Sequence, residues 1–319
     1  MFGKKKEKTV DVSHGAIIKE SGADKVFNIV NLTLVTLILL VVLYPLIFAV
    51  CASFTDPHAI ASGEMLLFPT KKEWIMWDGY KIIFKNARVW LGYRNTIFYT
   101  VVGTLLNLAV TLPAAYALSR KDLVGRKFFT TMFLVTMFFS GGLIPTYLLM
   151  TRTLHIGNTI WVMILPGATT MNNIIITRTF FMNTIPDSMR EAAEIDGCST
   201  FRMFFSIVLP LSGAIIAVMA LYFGVTHWNS YFNAMIYLEE YGPLVPLQIV
   251  LRQILVKSEY DAQMLLVGGT TAEELGNSLK NAELVKYALI IISSIPVLIF
   301  YPFIQKYFEK GVMIGSIKG

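Results

Sequence analysis

Residues 191–197 read Glu-Ala-Ala-Glu-Ile-Asp-Gly, and residues 207–210 read Ile-Val-Leu-Pro. This short polar stretch, with two alanines and a glycine, lies between two long apolar runs. It interrupts a membrane pattern on one side of the bilayer only. The expectation is that a partner outside the lipid docks there and that this partner defines what the chain does.

The surrounding composition sets that reading. The chain of 319 residues is 55% hydrophobic and 15% charged, with a mean hydropathy of +0.60, too apolar for an ordinary soluble domain. Apolar residues cluster into runs of about 20 or more, enough for a helix to cross a hydrocarbon core of roughly 30 Å. Six such runs are read, at about 27–54, 95–118, 128–150, 157–180, 204–226 and 284–307. Lipid offers backbone amides no partner, so runs of this length are helices, and the alternating pattern of a barrel is absent. The fold class is all-α, a polytopic membrane protein with six transmembrane helices. The expected divisions are an arm over 1–25, a first span over 26–54, an external loop with interfacial aromatics over 55–89, a five-helix core over 90–307 and a tail over 308–319. Within that core, the polar elbow occupies 186–210 and an external loop 227–283.

Lysine and arginine orient the spans. Lys4, Lys5, Lys6, Lys8, Lys19 and Lys25 favour a cytoplasmic N-terminus. With six spans the C-terminus is cytoplasmic too, as are segment 119–127, with Arg120, Lys121, Arg126 and Lys127, and segment 181–203. The net charge of +6 is therefore topological, and nucleic acid is not an expected partner. The first span is too long, and its basic segment too extended, for a cleavable leader. Cys51 and Cys198 fall on opposite sides of the membrane, which rules out a disulfide between them. Trp74, Trp77, Tyr80, Trp90 and Tyr93 suit an interface belt or an interfacial helix.

Absent motifs narrow the chemistry. There is no nucleotide-cradling G-x-x-x-x-G-K-[ST] loop, no H-E-x-x-H pair among the four histidines and no G-x-S-x-G elbow. The spans are nearly free of acids and bases, the usual mid-membrane parts of ion-coupled transporters. What they hold is uncharged polarity. Asn107, Thr104, Thr111, Asn172, Asn173, Ser212, Ser293 and Ser294 either line a pathway for a polar solute or hydrogen-bond between helices. Arg178 is expected to snorkel toward the headgroups. Every span of the core carries proline (Pro113, Pro145, Pro166, Pro210, then Pro296 and Pro302), which kinks membrane helices that neighbours then accommodate. In the external loop, 241–256 either re-enters the membrane or lies against the bundle. Residues 257–281 read as polar, with a turn at 268–271 before a short helix from about Ala272.

In the elbow, Pro186 and Asp187 suit a helix's first turn, and Gly197 supplies the left-handed conformation that ends it. Ser199 or Thr200 then caps a second helix leading straight into the fifth span. Ala192 and Ala193 leave one side flat for close approach, and Glu191 presents a carboxylate to a basic partner. An ordinary capped connector fits this local chemistry equally.

The pattern E-A-A, three residues, Gly, nine residues, I-x-L-P, matched from Glu191 to Pro210, resembles the EAA loop of ATP-binding cassette (ABC) type I importer permeases. Ala114-Ala115-Tyr116-Ala117-Leu118-Ser119-Arg120 and Trp228-Asn229-Ser230-Tyr231-Phe232 are similar to the carbohydrate-uptake branch, and Gly311–Gly319 resembles that branch's C-terminal tail. The long 257–281 insert is closer to Gram-positive permeases for complex oligosaccharides, plant-polysaccharide fragments included. The resemblance implies a bacterial cell-membrane permease, seated in membrane lipid, that works with a second permease, two ATPase subunits and an extracellular lipoprotein or periplasmic solute-binding protein, and that forms with the second permease the path for an oligosaccharide solute. It makes Glu191, Ala192, Ala193 and Gly197 the ATPase-docking residues, with Ile207, Leu209 and Pro210 setting the return into the membrane. Gly315, Lys318 and Gly319 become tail contacts to the ATPase, and Asn107, Asn172 and Asn173 a possible pathway, although in maltose-type pairs the sugar site lies mostly in the other permease. No cofactor is expected in this chain, ATP and Mg belonging to the partner ATPase, and no metal site or enzymatic activity of its own. The alternatives are an ion-coupled secondary transporter, which needs charged mid-membrane residues and an internal repeat that are not seen, a permease for a non-sugar solute, and a membrane assembly factor.

Overall fold

The computed structural model describes residues 22–65, 67–267 and 271–316. Two units are separable, residues 1–49 and residues 50–319. The first is the greater part of helix α1 (Gly22–Ala52), whose side chains over 26–42 are exposed and almost wholly apolar. That surface is stable only in lipid, as the unbroken apolar run requires.

Among its described residues the regular secondary structure of the second unit is helical, apart from an isolated bridge between Thr55 and Ile75. Two short helices, α2 (Pro57–Ala61) and α3 (Asp78–Lys85), lead to α4 (Ala87–Ser119). Its 33 residues extend for about 50 Å at 1.5 Å each. Asn86 starts α4, its side chain accepting a hydrogen bond from the Arg88 amide at 3.0 Å and so satisfying one orphan donor. Next come α5 (Arg126–Phe138), α6 (Leu143–Leu148) with a π turn over Leu149–Thr153, α7 (Trp161–Ile164), α8 (Met171–Thr184) and α9 (Asp187–Ile195). The chain continues through α10 (Thr200–Met203), a π turn (Phe204–Val208), α11 (Leu209–Leu211), α12 (Gly213–Trp228) and α13 (Phe232–Tyr237), and closes with α14 (Leu247–Val267) and α15 (Ala272–Ser316).

Three helices are long and apolar enough to cross a membrane alone, α1, α4 and residues 276–299 of α15. Two bent pairs raise the number to five: Arg126–Phe138 with Leu143–Thr153, at 112°, and Thr200–Leu211 with Gly213–Trp228, at 82°. By length and composition the described residues thus give three spans, or five with each bent pair as one, and do not confirm the expected six. The run at 128–150 divides at Gly141-Gly142, where Gly142 takes φ 81°. The run at 157–180 divides at Pro166-Gly167, where Gly167 takes φ 75° and proline denies the helix a donor. The elbow's second helix does not lead straight into the fifth span either. It turns at Ser212, whose hydroxyl donates to the Val208 carbonyl at 2.6 Å.

Two apolar cores share α4 as their wall. One gathers Ile83, Val89 and Tyr99 with Trp228, Leu247, Val250 and Ile292. The other gathers Leu112, Ala115 and Tyr116 with Phe181, Met203, Phe204 and Met219. Segment 241–256 lies against the bundle, because α14 buries Leu247, Ile249, Val250 and Leu251. The helix from Ala272 is not short; it runs unbroken into the last span as α15, 45 residues in all.

Candidate functional site

The elbow forms as its local chemistry requires. Pro186 sits at the cap of α9, one position earlier than a first-turn proline, and Asp187 opens the first turn. Gly197 has φ 74°. Its amide donates to Glu194 O at 3.0 Å while the Cys198 amide reaches back to Ala193 O at 2.8 Å, the paired bonds of a Schellman stop. Ser199 starts the next helix, its hydroxyl accepting from the Arg202 amide at 3.3 Å. Glu191, Ala192, Glu194 and Gly197 face outward, whereas Ala193 is only 8% exposed and packs within the core beside Tyr116 and Phe204. The flat, approachable side is thus Ala192; the small size of Ala193 lets α9 lie close on its own subunit. Ile207 and Leu209 pack partly against that core, and Pro210 stands in the turn before the bend, where a missing donor costs little.

Ion pairs tie this elbow to the end of α4, which sequence reasoning missed because the partners lie far apart in the chain. Arg120 binds Asp122 and lies 3.5 Å from Glu194; Arg190 lies 2.9 Å from Asp122 and 3.9 Å from Glu194. Lys121 meets Asp187 at 2.7 Å. The Arg120 hydrogen bond is the main cause holding the Asp122 carboxyl down at about 2, against a smaller opposing effect of burial. The Lys121 hydrogen bond likewise lowers Asp187. Arg178 Nε donates to Leu118 O at 3.0 Å, filling a carbonyl that the end of α4 leaves open. Tyr116, from the AAYALSR stretch, packs its ring on Phe181 and Phe204. A cleft of about 310 Å³ lies beside α9, between Tyr116, Met182, Asn183 and Arg190.

Between the two cores lies a polar layer. Asn107 is 2% exposed. With its amide oriented to satisfy its neighbours, it donates to Gly103 O at 2.8 Å and Ala168 O at 3.2 Å and accepts from His227 Nε2 at 3.2 Å. Thr111 bonds Thr169 at 2.8 Å. The non-helical backbone at 165–170 is thereby paired inside the protein, the condition for breaking a helix at membrane depth. Gly103 admits the imidazole, since a Cβ there would collide with the His227 ring. Asn172 is exposed and Asn173 half-exposed in the first turn of α8, whose cap is Thr170. Of the three expected pathway asparagines, the structure gathers Asn172 and Asn173 on one helix start and puts Asn107 in an interhelical contact. Ser293 and Ser294 bond the Ile290 carbonyl of their own helix. Gly315 is in the final turn of α15, and Lys318 and Gly319 lie outside the described residues. Among the described residues no group of His, Cys, Asp or Glu is placed to hold a metal ion.

Residues 89–314 match the family of binding-protein-dependent transport system inner membrane components. The chain belongs to this family. It is a permease subunit of an ABC importer, a role apart from an enzyme's and at odds with an ion-coupled carrier. A relative from Bacillus subtilis, the polygalacturonan/rhamnogalacturonan transport system permease protein YtcP, is 37% identical over 93% of this chain and 99% of its own. The Bacillus subtilis protein LplC is 35% identical over 93% of this chain and 96% of its own. A solved bacterial ABC transporter involved in the import of the acidic polysaccharide alginate has a chain that superposes with a TM-score of 0.75. That chain is 33% identical, with coverage of 91% of this chain and 99% of that one.

Proposed function

We propose that this permease pairs with a second one to form the path of an ATP-driven importer for oligosaccharides bearing uronate units. The solute arrives from an extracellular binding protein, and ATP and Mg are handled by two separate ATPase subunits beneath α9. Both chain ends lie on the cytoplasmic side. The observation that carries the docking role is the elbow itself: a Schellman-closed helix with Glu191 and Ala192 outward, fastened through ion pairs to the end of α4. Support for the solute class comes from relatives named for polygalacturonan and rhamnogalacturonan transport and for alginate import.

In this reading, closure of the ATPase pair moves α9, and the movement reaches α4 and, through the bend at Ser212, α12. Docking shifts the bundle only by its difference in affinity between inward- and outward-open states; tight docking alone shifts nothing. Asn172 and Asn173, open at the start of α8, are the polar groups available to the path. The test is uptake into vesicles holding the complete complex. Glu191→Lys and Gly197→Asp abolish uptake and solute-stimulated ATP hydrolysis while the subunit still inserts; normal uptake by either variant overturns the docking role.

A further inference from the structure

On the face of the bundle farthest from α9, at the start of α4, lies a cleft of about 510 Å³. Its charged lining is Arg88, Arg252 and Lys257, facing the single carboxylate Glu240. Among the described residues none of these cations has a carboxylate within ion-pair distance. Arg88 donates to the backbone oxygen of Glu240 at 3.4 Å and stacks over the Tyr241 ring at 4.8 Å. Arg252 points its Nη1 at the Met235 sulfur, 3.3 Å away. Gln253 donates to Glu240 O at 2.7 Å, which orients the amide and leaves its Oε1 buried without a donor.

Sequence explains why these groups converge. Residues 249, 253, 256, 257 and 260 recur at three- and four-residue spacing, one stripe of a helix. In α14 the stripe is apolar at Ile249, where it meets the core, and beyond it carries the polar Gln253, Lys257 and Tyr260 around Val256. Tyr241, 73% exposed, and Tyr260, 56% exposed, line the cleft beside the cations.

We propose that this cleft is a uronate subsite at the outer mouth of the permease, taking one or two acidic sugar units of the solute. The inference rests on the reading of the protein as an oligosaccharide importer, and adds where this chain reads the solute's charge. Two features must be met together, and a uronate meets both. Its carboxylate pairs with Arg252 and Lys257, charge-assisted contacts among the stronger hydrogen bonds. The apolar face of the ring lies on tyrosine. An acidic loop of the delivery protein satisfies the cations alone, which makes it the competing outcome.

The experiment uses the complete complex in detergent without delivery protein, with trigalacturonate as the probe and neutral galactotriose as control, each titrated calorimetrically. Arg252→Gln and Lys257→Gln should each weaken trigalacturonate binding about tenfold, a loss of order one charge-assisted contact. Galactotriose should bind poorly and equally to all forms, and docking of unliganded delivery protein should be unchanged. The subsite is overturned if the variants weaken delivery-protein docking and leave trigalacturonate binding alone. It is also overturned if the wild-type complex imports oligouronates but does not bind the probe at millimolar concentration. Failure of the loaded complex to import any oligosaccharide overturns the importer reading itself, and the subsite with it.

Discussion

The two ends of α4 are fastened by different chemistry. At its start, side chains bind backbone. Asn95 Nδ2 donates to Pro243 O at 2.7 Å and Val245 O at 3.0 Å, the Tyr99 hydroxyl donates to Leu244 O at 2.8 Å, and Thr96 Oγ1 accepts from the Leu247 amide at 2.8 Å. All three side chains are buried, and together they hold the entry to α14 in one register. At its far end α4 is held by pairs of charged side chains, Arg120, Asp122, Arg190, Glu194, Lys121 and Asp187, open to solvent on the carboxylate side while Arg120 and Arg190 are themselves mostly covered. Buried backbone bonds are costly to leave unmade and define a fixed scaffold. Exposed ion pairs are worth only about 0–1 kcal/mol each, so they hold a joint in register and still let it be remade. The difference teaches that one half of the molecule is built to stay and the other to be displaced.

The severest way to break this division is to crowd the layer between the halves. Gly103→Val drives a side chain into the His227 ring, and an overpacked site of this kind costs about 1–3 kcal/mol or more. Thermal unfolding of the purified subunit should fall accordingly, and uptake with it; a wild-type midpoint would show that the layer is looser than the Gly103–His227 contact implies. Next in size, Asn95→Ala leaves two backbone oxygens buried without their donor, about 1–3 kcal/mol. The loss should appear locally, as faster amide exchange over 244–252 with the rate over 187–195 unchanged.

The inner joint should respond in the opposite manner. Arg120→Gln with Arg190→Gln should lower stability by less than about 1 kcal/mol, yet sharply reduce solute-stimulated ATP hydrolysis because α9 no longer moves with α4. A variant pair that unfolds the protein, or that hydrolyses normally, would erase the contrast. The smallest effect concerns pH. Asp122 is held at about 2, below the ordinary carboxylate value near 3.9, so its contribution is complete above that ordinary value and is lost only as pH falls through about 2. The linkage between α9 and α4, followed by the distance between spin labels on the two, should therefore be flat from pH 8 to pH 5.

Much of the elbow was legible because its signals are local. Gly197 has no competitor for a left-handed stop, and Ser199 stands one step before its helix. Helices α1 and α4 were legible for a different reason: their apolar runs are unbroken, apart from the tolerated Pro45 and Pro113. The divisions at 139–142 and 165–170 had their signal in Gly141-Gly142 and Pro166-Gly167, but hydropathy outweighs such punctuation when a run is long. The extent of α14 was hidden by its mixed stripe, which averages to polar. The pairs Lys121–Asp187 and Arg190–Asp122 could not be read at all, because nothing in one sequence relates positions more than sixty residues apart. Asn107 illustrates the same limit. Its residue type allowed pathway or packing, and its place opposite Ala168 and His227 is a matter of tertiary approach.

That one amide carries a mechanical consequence. Asn107 grips α12 through His227, the last residue but one of that helix, and the divided 165–170 segment through Ala168, so the end of one and the break in the other are tied to α4 at one level. Loss of that amide would therefore loosen three pieces of chain at once: the middle of α4, the end of α12 and the broken segment.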